Sequence, residues 1–142
     1  MTQDEYRKRV KGEAPKSPLT KNTLMAFLFG GGICTVGQVI LNAYLAMDIP
    51  QKSASAYTSM TMVFLGALLT FLNVYDRLAK RGGAGTLVPI TGFANSMASP
   101  AMEFKTEGWV YGLAAKMFIV AGPIIVYGVL AGTAVGLIYL FL

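Results

Sequence analysis

Charged and uncharged positions separate into long blocks along this chain. No charged side chain lies between Lys21 and Asp48. Residues 22–47 are therefore an uncharged run longer than the roughly 20 residues that carry a helix across about 30 Å of hydrocarbon. A second uncharged run covers residues 53–75; its first third is polar, so its lipid-embedded part centres on residues 62–72. Residues 117–142 are uncharged and almost wholly apolar. The pattern predicts three membrane-spanning helices, near 22–47, 54–75 and 117–142, in one transmembrane domain over residues 22–142.

A further uncharged stretch, near 84–104, is unlike these. It carries Gly85, Pro89, Gly92 and Pro100 among small hydroxyl and amide side chains that a lipid-facing helix avoids. Pro89 cannot donate to a helix ladder and Gly92 lowers propensity, so a helix entering near Thr86 should be distorted or stop around residues 91–95. Ser99-Pro100 resembles a helix start, with Glu103 in the first turn. Two short helices meeting at residues 95–99 are therefore expected. As one straight helix, residues 85–102 would reach about 27 Å, barely a crossing. The expected fold is all-α: three full transmembrane helices plus a broken, re-entrant helical segment, with four transmembrane helices as the alternative. Unpaired backbone at membrane depth survives only against protein or water. Thr91, Asn95, Ser96 and Ser99 are thus candidates for a pore or substrate path, shaped by Gly85, Pro89, Gly92 and Pro100.

Other polar and small residues within the spans add candidates. Gln38 and Asn42, four apart, share a helix face and serve either as interhelical hydrogen-bonding groups or as pore lining. Lys116 can snorkel to the headgroups or attract an anion. Pro123 should kink the last span. Gly128, Gly132 and Gly136 recur every fourth residue, a pattern of close helix packing within the chain or between subunits.

The charges set orientation. Six of the twelve basic residues (Arg7, Lys8, Arg9, Lys11, Lys16 and Lys21) precede the first span, and Arg77, Lys80 and Arg81 follow the second. Both flanks are then cytoplasmic, and residues 1–21 form a basic cytoplasmic segment with a short helix over 4–12 and a linker over 16–21. Such a segment is a solvated, lipid-attracted tail or a docking site; its juxtamembrane place argues against nucleic acid as the partner of the +5 net charge. The first apolar run is too long for a cleaved signal. With no histidine and one cysteine, Cys34, a metal site, an intrachain disulfide and a cofactor are not expected. Carboxylates lie only at the edges of spans and no phosphate-binding loop follows the glycines, so the chain does not read as an enzyme.

Several motifs carry a resemblance. Lys21-Asn22, the run from Gly31 to Gln38, Leu68-Leu69-Thr70, Val74-Tyr75-Asp76, Gly83 through Ser96, Ser99-Pro100-Ala101-Met102-Glu103, Lys105, Glu107-Gly108 and Lys116-Met117-Phe118 together resemble the stage V sporulation protein AC family. The related AE family shares shorter pieces of the central motif, and residues 99–107 favour AC. The resemblance implies a protein of the spore inner membrane in endospore-forming bacteria. It implies an AE-type membrane subunit and a soluble, thiolase-like AD-type subunit as partners. The solute would be dipicolinic acid, with calcium, moved into the forespore and out at germination through an oligomer, and the family has been regarded as a tension-gated channel. The alternative role is a scaffold subunit without a pore of its own.

Overall fold

A computed structural model describes residues 2–13 and 17–141. Part of the linker expected over 16–21, Lys16, and the end of the last span, Leu142, lie outside the described residues. Helix α1, Gln3–Glu13, opens on a reciprocal cap: Thr2 N donates to Glu5 Oε2 at 2.9 Å while Glu5 N reaches Thr2 Oγ1 at 3.4 Å. Helix α2, Leu19–Leu45, begins directly after Pro18. A turn with Asp48 in the left-handed region and Pro50 leads to α3, Gln51–Phe71. Asn73, also left-handed, redirects the chain into α4, Val74–Gly82.

A 3-10 turn, Gly83–Thr86, and an extended Val88 then precede α5, Pro89–Glu103. A second 3-10 turn, Lys105–Glu107, and Gly108 at φ +105° lead into a π-helical turn, Trp109–Ala114, and α6, Ala115–Phe141. Among the described residues every regular element is helical. Three helices are long and apolar enough to cross a membrane: Leu19–Leu45, Gln51–Phe71 and Trp109–Phe141.

The middle segment is interrupted, but not where the prolines and glycines suggested. Its break falls at residues 83–88, and α5 continues through Asn95, Ser99 and Pro100. Pro89 does not end a helix; it occupies the first turn of one, where its missing N–H is an orphan in any case. Pro100 lies inside α5 rather than at its start. The cost there is one hydrogen bond to the Ser96 carbonyl, which neighbouring packing outweighs. Pro123 likewise lies within continuous helix.

Small residues hold the core together. On α3, Ala54, Met62, Gly66 and Thr70 are buried at four- and eight-residue spacing, a single helix face. Thr91, Ala94 and Ala98 form the matching buried stripe of α5. A β-carbon on Gly66 would stand 3.1 Å from Ala94 Cβ and 3.2 Å from the Thr91 backbone, so the two helices approach at backbone distance. Large apolar side chains point outward instead: Phe27 is 76% exposed and Phe64 65%. That inversion is what a lipid solvent permits and water does not.

The pairing of α5 with α3 fixes its direction. Thr91 and Ala94 lie against Gly66, Asn95 against Thr70, and Glu103 shares a pocket with Asp76 and Ala79. Helix α5 therefore runs parallel to α3, and residues 83–103 return to the end of α3 from which they set out. The tip of this hairpin is wedged against α2, where a β-carbon on Gly85 would run into the Ala26 carbonyl oxygen. Only glycine fits there.

Candidate functional site

Two cavities flank the hairpin. The larger, about 480 Å³, opens between α2 and α3 and is walled by Leu28, Ile33, Val36, Met62, Leu65 and Leu69, with Thr91 among the few polar residues lining it. Thr91 itself is buried, with Oγ1 3.3 Å from the Tyr75 hydroxyl. That hydroxyl lies within reach of the phenol, and the other polar lining groups, on Tyr75 and Thr86, are hydrogen-bonded among the described residues.

The smaller cavity, about 380 Å³, lies where α3, α4 and α5 converge. Thr70, Asn73, Asp76, Asn95, Ser99 and Glu103 line it. Thr70 Oγ1 is 2.7 Å from the Gly66 carbonyl oxygen and 2.9 Å from Asn95 Oδ1, and its single proton serves one acceptor at a time. Ser99 Oγ reaches the same Asn95 oxygen at 3.5 Å. Asp76 is paired with Lys80 at 2.8 Å on an exposed flank, which leaves Glu103 as the carboxylate without an ion-pair partner among the described residues. The pocket is thus a hydroxyl- and amide-rich recess with a carboxylate rim. It favours a cation or a neutralised solute over a bare anion.

The structure brings two of the expected path residues together, Asn95 and Ser99. Ser96 does not join them: its hydroxyl donates to the Phe93 carbonyl at 2.8 Å. Gln38 and Asn42 are exposed on α2 and bonded to each other at 2.9 Å. Lys116 sits with its ammonium 4.2 Å from the centre of the Phe104 ring, away from the pocket lining. Gly128, Gly132 and Gly136 are exposed, with open space where a β-carbon would stand, so they have no packing partner among the described residues.

The helix start expected at Ser99-Pro100 is also displaced, to Pro89. The N-terminus of α5 adjoins Thr86 and Tyr75, whereas the polar pocket lies along the second half of the helix. Sequence reading missed Thr70, Asn73, Asp76 and Glu103 as pocket residues. A signal for one of them was available: Asn95, Ser99 and Glu103 are four apart and share a face once residues 89–103 are taken as a single helix.

Long apolar helices with their bulky side chains facing outward, closed around a hairpin that carries a polar pocket, define an α-helical membrane protein. Within that class the chain belongs to the SpoVAC/SpoVAEB sporulation membrane protein family, whose model matches residues 22–138. It is 47% identical over 136 residues to "Stage V sporulation protein AC" of Bacillus subtilis (strain 168), covering 95% of this chain and 91% of that protein. No solved structure matches. A role in sporulation, in a membrane, follows from the family, which is not a known enzyme family.

Proposed function

We propose that this chain is a transport or channel subunit of the spore inner membrane that passes dipicolinic acid with calcium. The observation that supports it most is the polar pocket at the re-entrant hairpin, where Thr70, Asn95 and Ser99 face a common space beside Asp76 and Glu103. A bare dianion meets repulsion from those carboxylates, whereas calcium-bound dipicolinate does not, so the cation travels with the acid. With three helices able to span among the described residues, a path needs further walls. An AE-type membrane subunit supplies them, and a soluble AD-type subunit docks on the cytoplasmic face that carries the basic residues.

Substituting Asn95→Leu or Ser99→Val, at unchanged protein level, is expected to lower both dipicolinate and calcium in mature spores; normal content of both overturns the pocket's role. A second reading, scaffold without a pore, draws on the closed hydrogen bonds at Thr91 and on the apolar character of the larger cavity. Purified protein reconstituted alone in liposomes separates the two: release of dipicolinate under applied tension supports a channel, and release only with added subunits supports a scaffold.

A further inference from the structure

Helix α2 packs along one side and leaves the other bare. Ala26 and Gly30 meet the Gly85 turn, and Gly37 faces Met62. Away from those contacts Leu24, Leu28, Gly31, Thr35, Gln38, Asn42 and Leu45 are all exposed, Leu28 also edging the larger cavity. Successive members alternate four and three residues apart, the heptad seam of two parallel helices packed knobs-into-holes. A β-carbon on Gly31 would meet nothing within 4 Å, so a neighbouring backbone can come close there.

The middle of this seam is polar. Thr35 Oγ1 donates to the Gly31 carbonyl at 2.8 Å and Gln38 Nε2 donates to Asn42 Oδ1 at 2.9 Å. The Gln38 carbonyl oxygen and the Asn42 amino group remain without partners among the described residues. Gln38 precedes Asp48 by ten residues, about 15 Å along the helix and well inside the apolar run. Hydrocarbon cannot pair either group.

We propose that this seam is a homotypic interface, at which α2 of a second copy of the chain packs in parallel about a two-fold axis along the membrane normal. Two copies inserted in one membrane share an orientation, so α2 meets α2 in parallel. Each face offers one free acceptor, on Gln38, and one free donor group, on Asn42, and is therefore complementary to itself. Polar residues at seam positions fix register and copy number in such pairs. The interface stands independently of any transport reading.

Oxidative cross-linking in native membranes tests it, in a Cys34→Ala background. Gln38→Cys and Asn42→Cys should give disulfide-linked dimers at least about fivefold above Val36→Cys, which is 50% exposed on another face. Equal yields at all three positions overturn the proposal. So do cross-links from positions 38 and 42 that join a different subunit and give no dimer of this chain. A second readout avoids cysteine: the apparent dissociation constant read from energy transfer between labelled copies in liposomes should rise about three- to twentyfold in the Gln38→Leu, Asn42→Leu double variant. An unchanged constant rules the seam out.

Discussion

The Tyr75 hydroxyl donates to the backbone oxygen of Thr86 at 2.7 Å and lies 3.3 Å from Thr91 Oγ1. One phenol on α4 thereby ties down both sides of the turn that enters α5. Tyr75 is 3% exposed and Thr86 4%, so these groups have no water to fall back on. Tyr75→Phe keeps the ring and removes the donor, leaving a buried carbonyl unpaired at a cost of about 1–3 kcal/mol. The variant should show a lower midpoint of thermal unfolding in detergent and faster proteolysis within residues 82–88. Unchanged cleavage there means that the turn is held by its glycine packing alone.

That glycine packing makes its own prediction, in two opposite directions. Gly85→Ala drives a β-carbon into the Ala26 carbonyl, a backbone atom that cannot rotate aside, and should cost at least about 1–3 kcal/mol. Gly32→Ala, in the middle of α2 with nothing within 4 Å of the new carbon, should stabilise by up to about 1 kcal/mol through helix propensity. Thermal unfolding of both in one detergent checks the pair; equal shifts mean that the turn does not press on α2.

The three apolar helices were legible because little competes with the hydropathy signal over residues 22–47, 54–75 and 117–142. The hairpin was half legible. Uncharged length together with glycine and proline marked a broken segment, and the position of the break was lost because local rules for proline do not see tertiary packing. Ser99-Pro100 satisfies every local criterion for a helix start, yet Ala94 and Ala98 seat α5 against Gly66 and carry the helix through. Asn95 and Ser99 were found as hydroxyl and amide groups at membrane depth. Thr70 was missed because it stands alone in an apolar run, and only the approach of α5 gives it a partner. Asp76 and Glu103 looked like solvated ends of elements, and only the parallel course of α5 along α3 sets them beside one recess.

The continuity of α5 can be measured directly. If Pro100 lies inside the helix, Pro100→Ala restores the N–H that the Ser96 carbonyl lacks and removes a ring clash. Stability should then rise, by up to about 3 kcal/mol if the surroundings relax fully. If Pro100 instead began a separate helix, the same substitution would remove a favourable first-turn residue and stability would fall. The sign of the shift in unfolding temperature decides between the two.

The hairpin's return course predicts the number of crossings. Helix α5 has 15 residues, about 22 Å, short of the ~30 Å hydrocarbon thickness, and its end at Glu103 sits beside Asp76 and Ala79, near the end of α3. With α2, α3 and α6 crossing, the two ends of the described chain must then face opposite sides. In a Cys34→Ala background, Ser17→Cys should react with an impermeant maleimide from the cytoplasmic side, as the basic residues around it require. Phe141→Cys should react only from the other side. Labelling of both positions from one side means an even number of crossings: α5 would then traverse the bilayer, and the pocket beside Asn95 would lie within a fourth span rather than at the mouth of a re-entrant hairpin.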